Sequence, residues 1–417
     1  MSCRIRLGFD VGSGATKVCC EYKDLSTNIA TVVYEQEVVL LVGQRTREYS
    51  ESRGDLCGSG ELIIPEELLN ALEATLRDLI RSSMAGCIPF FEGGAEGLIA
   101  AVENGSCVVE SVATATAIFR LASNGSLVLD RLRSDLGLSC QLLPQDREAE
   151  LGYLTALSVQ DTTPSKDGGK RLVSWDSGGA SFQLATTQAD GSRTPLEVFN
   201  GLWGNSVTHL DLLALQKARG PEYSQPTHVG DDPNPVGIDM AGRLSEHIVS
   251  DLSNTDRHPA SATNAFRDIF GKGTAATARL HGIGGPTSAF KITALVTGKF
   301  TNITPEDVWG AVERYATLTT EQMGAVLYRD LPNPPAGSDP ASRAFSQPKV
   351  LVPKLVLVYT VMKFLGVPSF DFTETIGNTR AIVAMEDLWK VPDVVPAQGV
   401  LSPMSALRTA VIQAAKL

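Results

Sequence analysis

The chain has 417 residues, 43% of them hydrophobic and 20% charged, which excludes a wholly disordered protein and leaves room for two domains. Lys plus Arg number 36 against 47 Asp plus Glu, a net charge of −11 that argues against a nucleic-acid surface and its basic footprint. A polyanionic ligand stays compatible with that charge where a local positive cleft or bound Mg²⁺ offsets it.

The first residues enter a strand pattern at once. With no leader-like apolar core, and no run near the roughly 18 apolar residues of a bilayer span, the expectation is a cytoplasmic chain without a membrane partner. The segment Arg4–Phe9 reads as a strand running into a Gly/Ser turn, with a second strand leaving toward Cys20. Val32–Tyr34 and Glu37–Val42 continue the strand signal. From Glu66 to Met84, Leu68, Leu69, Leu72, Leu76, Leu79 and Ile80 recur at helical spacing behind Pro65, with Glu66 and Glu67 in the first turn, where they suit the helix dipole. Ser106–Thr114 reads as a strand and Ala115–Ala122 as a helix. Asn124-Gly125 reads as a tight turn before a strand at Leu127–Leu129. Cys140–Leu143 reads as a strand and a helix starts near Pro144. Arg171–Trp175 then runs into a second Gly-rich turn and Ser181–Ala185, and Asp190-Gly191 closes a hairpin onto Pro195–Phe199. The later chain is more helical, at Asp239–Leu252, Thr304–Thr317, Glu321–Leu327 and Lys349–Phe364. Segments 220–235 and 331–347, rich in Pro, Gly, Asp and Ser, read as exposed insertions.

Seven cysteines (Cys3, Cys19, Cys20, Cys57, Cys87, Cys107, Cys140), odd in number and widely spaced, read as free thiols. Adjacent Cys19 and Cys20 face opposite sides of a strand. The histidines lack zinc-ligand spacing.

The strand–Gly turn–strand pattern occurs twice. Asp10-Val-Gly12-Ser13-Gly14-Ala15-Thr16 puts an acid at a strand end before a turn of small residues, and Asp176-Ser-Gly178-Gly179-Ala180-Ser181 repeats it. Such a turn can present backbone N–H groups to a phosphate while the acid holds Mg²⁺ or its water. Taken alone, such an acid-and-glycine turn is more often a structural hairpin. A third element, Gly282-Ile-Gly284-Gly285-Pro-Thr287-Ser288, opens a helix whose N-terminus suits an anion, or is a plain loop. Between the hairpins, Gln145-Asp146-Arg147-Glu148-Ala149-Glu150 opens a helix. Its acids are dipole partners or include a carboxylate that orients water. Thr116 offers a hydroxyl, and Arg120 a guanidinium that is either a bidentate phosphate ligand or an ordinary surface group.

In this order the motifs resemble those of the exopolyphosphatase and guanosine-pentaphosphate phosphatase (Ppx/GppA) family, within the actin, Hsp70 and sugar-kinase superfamily. The segment Gly377-Asn-Thr-Arg380-Ala looks like that family's closing motif, so the resemblance covers about residues 4–389. It implies an α/β fold of two ribonuclease H-like (actin-like) domains flanking a cleft: 1–138, then 139–389 with the two insertions. Segment 390–417 would follow, packing back on the first lobe. It implies phosphohydrolase activity, dependent on Mg²⁺ (or Mn²⁺), releasing terminal phosphate from inorganic polyphosphate or a guanosine polyphosphate. A homodimer fits the family too. Glu148 falls at the general base, Asp176 at the catalytic metal-binding acid, and Asp10 beside the first phosphate loop as a second metal ligand. Phosphate contacts fall to Gly12, Ser13, Gly14, Thr116, Arg120, Gly178, Gly179, Ala180, Ser181, Gly284, Gly285 and Thr287. The sequence departs from the family pattern at Gly14 and Ala15, where Asn and Ser are usual, and at Gln183, where an acid is expected to help bind metal. Two further readings therefore stand beside the hydrolase: a catalytically weak protein of this fold that binds polyphosphate or nucleotides, and an ATP-using superfamily member such as a small-molecule kinase.

Overall fold

The computed structural model describes residues 2–52, 61–159, 171–193, 195–219, 232–271, 278–330, 348–390 and 412. The expected insertion at 331–347, residues 220–231 of the other, Cys57, and nearly all of the 390–417 segment lie outside them. Among the described residues, one compact unit takes those up to 144 and those from 376 on; the other takes those between 145 and 375.

The first unit is built on β1 (Cys3–Val11), β2 (Ala15–Asp24), β3 (Ile29–Val39), β4 (Cys107–Ala115) and β5 (Ser139–Leu142). The sheet order is β3-β2-β1-β4-β5, with β1, β2 and β3 antiparallel and β4 and β5 parallel to β1. Strand periodicity divides β1 between two faces. Ile5, Leu7, Phe9 and Val11 join a core with Leu68, Leu72, Leu76, Leu79 and Ile80 of helix Glu66–Cys87. Arg6, Gly8 and Asp10 face the other way, under the short helix Thr379–Ala384, whose Ile382 and Val383 lie against Gly8.

The second unit repeats this plan. β6 (Arg171–Ser177), β7 (Phe182–Thr186), β8 (Glu197–Gly201), β9 (Ala278–Gly284) and β10 (Asp371–Glu374) lie in the order β10-β9-β6-β7-β8, with the same pattern of antiparallel and parallel pairs. Trp175, Phe182, Leu184 and Phe199 fill the large core with the helices Ile238–Leu252, Pro305–Tyr315 and Val350–Leu365. The opposite face carries the helix Gln145–Val159, whose Ala149 and Tyr153 pack on Ala185.

Several expectations need correction. The boundary expected at 138/139 falls at 144/145, because β5 pairs with β4 and belongs to the first sheet. The end of the expected second domain, 376–389, belongs to the first unit. Arg6 holds it there through Glu386 at 2.7 Å from both guanidinium Nη atoms and the Val383 carbonyl at 3.3 Å. Asn124-Gly125 makes no hairpin, since Val128, Leu129, Leu132 and Leu136 bury one stripe of a helix, Gly125–Leu136. The Asn124 side chain instead pairs with the Ile64 backbone, accepting at 2.9 Å and donating at 2.8 Å. Strand β3 stops at Val39, and Val42 begins a helix (Val42–Ser52) after Leu41 at φ 53°.

The six described cysteines are free and buried, and the Sγ atoms of Cys20 and Cys87 lie 3.6 Å apart. No single described helix is long and apolar enough to cross a membrane. One bent pair, Glu66–Phe90 with Gly94–Glu103, passes by length and composition, and Leu68, Leu72, Leu98 and Val102 from it are core residues of the first unit.

Candidate functional site

The two Gly-rich turns are built alike. In the first unit, the Gly12 N–H donates to the Ala15 carbonyl at 3.0 Å, and in the second the Gly178 N–H donates to the Ser181 carbonyl at 2.9 Å. Their carbonyls face the helix that follows the third strand. Ser13 O accepts from Gly43 N–H at 2.7 Å, and Gly14 O from Leu41 N–H at 2.9 Å. In the second unit, Gly178 O accepts from Asn205 N–H at 3.0 Å and Gly179 O from Ser206 N–H at 2.8 Å. The latter approach is close: a Cβ on Gly204 would stand 2.3 Å from the Ala180 nitrogen and the Gly179 carbonyl carbon. With carbonyls tied down and the first N–H closing the turn, the N–H groups left for an anion are those of Ser13 and Gly14, and of Gly179 and Ala180. Gly12 and Gly178 thus shape their turns. Buried Ser13 also accepts from Ile118 N–H at Oγ, at 3.2 Å. This ties the first turn to the short helix Ala117–Leu121, which begins after buried Thr116.

The two acids occupy matching places with different neighbours. Asp10 stands opposite Lys17, which stands opposite Glu37. The Asp10 carboxylate is buried and accepts from Lys17 Nζ and from the Asn378 N–H, each at 3.2 Å. Gly377 passes so near that a Cβ would fall 2.4 Å from Asp10 Oδ2 and from Lys17 Cδ, and its φ is +53°. In the second unit the corresponding row is Asp176, Gln183 and Asn200. Gln183 is buried, its Nε2 donating to Ser181 Oγ at 3.1 Å. The amide at 183 therefore sits across the strand pair from Asp176, in the place that Lys17 takes beside Asp10.

Helix Gln145–Val159 covers the face that this row occupies. Glu148 is on its buried side with Ala149, Gly152 and Tyr153. Asn200 Nδ2 donates to Asp146 Oδ1 at 2.8 Å, which pins the first turn of the helix to the Asp176 row. A buried network backs Asn200: its carbonyl is 3.0 Å from His258 Nδ1, His258 Nε2 is 3.3 Å from Asp251, and Trp203 Nε1 donates to Asp251 at 2.9 Å. Burial pushes the Asp251 carboxyl up, but the Trp203 and His258 hydrogen bonds and the Arg257 charge hold it below its ordinary value.

The third turn also belongs to the second unit. β9 places Ile283 beside Asp176, and the chain then passes through Gly284, Gly285 and Thr287 into helix Ala289–Thr297, capped by Ser288 Oγ accepting from Lys291 N–H at 3.1 Å. Lys354 Nζ donates to the Thr287 carbonyl at 2.8 Å. Asp176, Gly179, Ala180, Ser181, Gly285 and Thr287 thus lie at or just beyond one end of the central strands β6 and β9, on the sheet that the helix carrying Glu148 covers. Ser13, Gly14, Thr116 and Arg120 belong to the first unit, where the Arg120 guanidinium donates to the Leu143 carbonyl.

Lys17, Asn200 and Lys354 escape a reading of motifs. Lys17 and Asn200 matter only through strand register. Lys354 had a local signal, a single cation after Pro353 in the apolar run Val350–Val358.

Among the described residues no three His, Cys, Asp or Glu side chains cluster to hold a metal ion. A hard divalent cation that keeps waters and takes substrate phosphate oxygens needs only one or two carboxylates, and Asp176 fits that requirement. Asp10 fits it less well, with an ammonium already at 3.2 Å.

No protein-family model and no curated protein matches the sequence. Solved structures do match the fold. An exopolyphosphatase-like protein superposes with a TM-score of 0.57 at 16% identity, over 92% of this chain and 98% of its own. A PPX-GPPA enzyme of Aquifex aeolicus gives 0.54 at 14% identity, over 91% and 98%. An exopolyphosphatase of Cytophaga hutchinsonii gives 0.54 at 14% identity, over 94% and 99%. The chain has the two-domain actin-like fold of the Ppx/GppA structures.

Proposed function

We propose that this protein is a phosphohydrolase of the Ppx/GppA kind, releasing terminal phosphate from inorganic polyphosphate or a guanosine polyphosphate. The observation that carries the reading is the C-terminal end of β6 in the second unit, where Glu148 lies on a helix pinned over the Asp176 row and two small-residue turns adjoin the same strand end. Glu148 takes the proton of the attacking water at its carboxylate. The water oxygen bonds to the terminal phosphorus as the phosphoanhydride P–O bond breaks, and the bond's electron pair leaves on the shortened chain. The N–H groups of Gly179 and Ala180, with the Ser181 hydroxyl, orient the phosphoryl oxygens and meet the charge that develops on them. Asp176 would hold Mg²⁺ or Mn²⁺, which when bound supplies Lewis-acid neutralisation of those oxygens. In the first unit, Ser13 and Gly14 offer a phosphate contact of their own, and Lys17 holds the Asp10 side chain in place. A cytosolic location and a homodimer belong to the same reading.

Gln183 favours a second reading, a protein of this fold that binds phosphate chains and turns them over poorly, because one carboxylate of the expected metal pair is an amide. Phosphate release from long polyphosphate, guanosine pentaphosphate and ATP with Mg²⁺ separates the two. Turnover of the first or second, lost in Glu148→Ala, supports the hydrolase; tight binding without release supports the binder.

A further inference from the structure

Helix Val350–Leu365 is buried along nearly its whole length, and every side chain from Val350 to Val358 except Lys354 is apolar. Lys354 is 4% exposed, and its ammonium reaches the Thr287 carbonyl. Burying an ammonium carries a desolvation penalty before any partner repays it, and an apolar side chain of similar length, such as Met, would fill this stretch without that penalty. The charge is placed at one particular point. It meets the turn that joins β9 to helix Ala289–Thr297, next in register to Asp176 and at the same end of the central strands as Gly179 and Ala180.

By donating to Thr287 O, Lys354 turns that carbonyl inward. The carbonyl of Gly285 is likewise spent on Ser288 N–H at 3.1 Å, and that of Gly284 on Thr375 N–H at 3.0 Å. Three carbonyls of the turn, those of Gly284, Gly285 and Thr287, are therefore committed, two to backbone and one to a cation. Opposite Asp176, meanwhile, Gln183 contributes no charge. Relative to a site with a second carboxylate there, this strand end has one fewer negative group, and Lys354 places a positive one behind the adjoining turn.

We infer that Lys354 is a positioning residue for the terminal phosphate: it holds the Thr287 carbonyl of the 284–288 turn averted and sets one positive charge behind that turn. Phosphate-chain binding in the second unit then rests in part on a protein cation and persists without divalent metal. The inference rests on the phosphohydrolase reading for the class of ligand and adds the source of the attraction.

Binding of tripolyphosphate to the full chain is measured by calorimetry in EDTA at several salt concentrations, beside Mg²⁺-dependent phosphate release. The wild type is expected to bind without metal. Lys354→Met is expected to weaken binding at least tenfold and to flatten its dependence on salt, with the ligand-free melting temperature held or raised. A purely structural lysine would give a lower melting temperature and an unchanged salt slope, and that result overturns the inference. Should Lys354→Met fail to fold, Lys354→Arg decides: affinity within threefold of wild type supports a role for charge, and a tenfold loss contradicts it. A wild type that releases phosphate but binds nothing in EDTA overturns this inference alone. One that neither releases phosphate nor binds with Mg²⁺ present overturns the reading beneath it as well.

Discussion

At the scale of single residues, the second Gly-rich turn depends on an atom that Gly204 lacks. Any side chain there would press a Cβ to 2.3 Å from the Ala180 nitrogen, and backbone has little room to yield. Gly204→Ala is expected to cost about 1–3 kcal/mol, the usual price of overpacking, and to weaken phosphate-chain binding more than Gly310→Ala, where a Cβ meets nothing within 4 Å. Urea unfolding and binding by calorimetry check the two halves of that statement. Glu386 tells a different story. Hydrogen bonds from Arg6 hold its carboxyl down at about 2, against the opposing effect of burial. A carboxylate depressed in the folded state contributes stability above its unfolded value and loses it as pH falls through the folded one. The contribution is thus present above about pH 4.5 and fades toward pH 2. Melting curves between pH 6 and pH 2.5 should fall less steeply for Glu386→Gln than for the wild type.

At the scale of elements, much of the plan could be read from residue order. The apolar spacing of Leu68, Leu72 and Leu76 marks its helix, and Thr304-Pro305-Glu306-Asp307 marks another. The structure gives the latter a full capping box, with Thr304 Oγ1 accepting from Asp307 N–H and Asp307 accepting from Thr304 N–H. Thr304→Ala should lose roughly 1 kcal/mol of stability, as N-cap deletions do, measurable by chemical denaturation. Illegible elements share a cause. Asn124-Gly125 carries a hairpin signature, but the apolar stripe behind it has helical period and tertiary burial decided the outcome. The closing segment 376–389 continues without a break after β10, so only long-range partners such as Arg6 reveal that it serves the first sheet. The candidate site divides the same way: Glu148, Asp176 and the turns stand in motifs, whereas Lys17, Asn200 and Lys354 gain meaning from strand register and helix packing that no local pattern encodes.

At the scale of the whole molecule, one construction is used twice. Among the described residues, each unit has a five-stranded sheet in the same order, a large core on one face, helical cover on the other, and an acid followed by a small-residue turn at the end of its first strand. The copies differ where chemistry would differ. In the first the acid is held by Lys17 and a backbone N–H; in the second a helix carrying Glu148 lies over the acid's row. On the proposed reading, that asymmetry puts the water-activating carboxylate in the second unit. The direct test is phosphate release from long polyphosphate with Mg²⁺ by the wild type and Glu148→Ala, both confirmed as folded. Steady release by the wild type, reduced about a hundredfold or more in the variant as removal of a general base does, is the expected result. Release that survives the substitution, or a folded wild type that binds polyphosphate and releases nothing, would contradict the account.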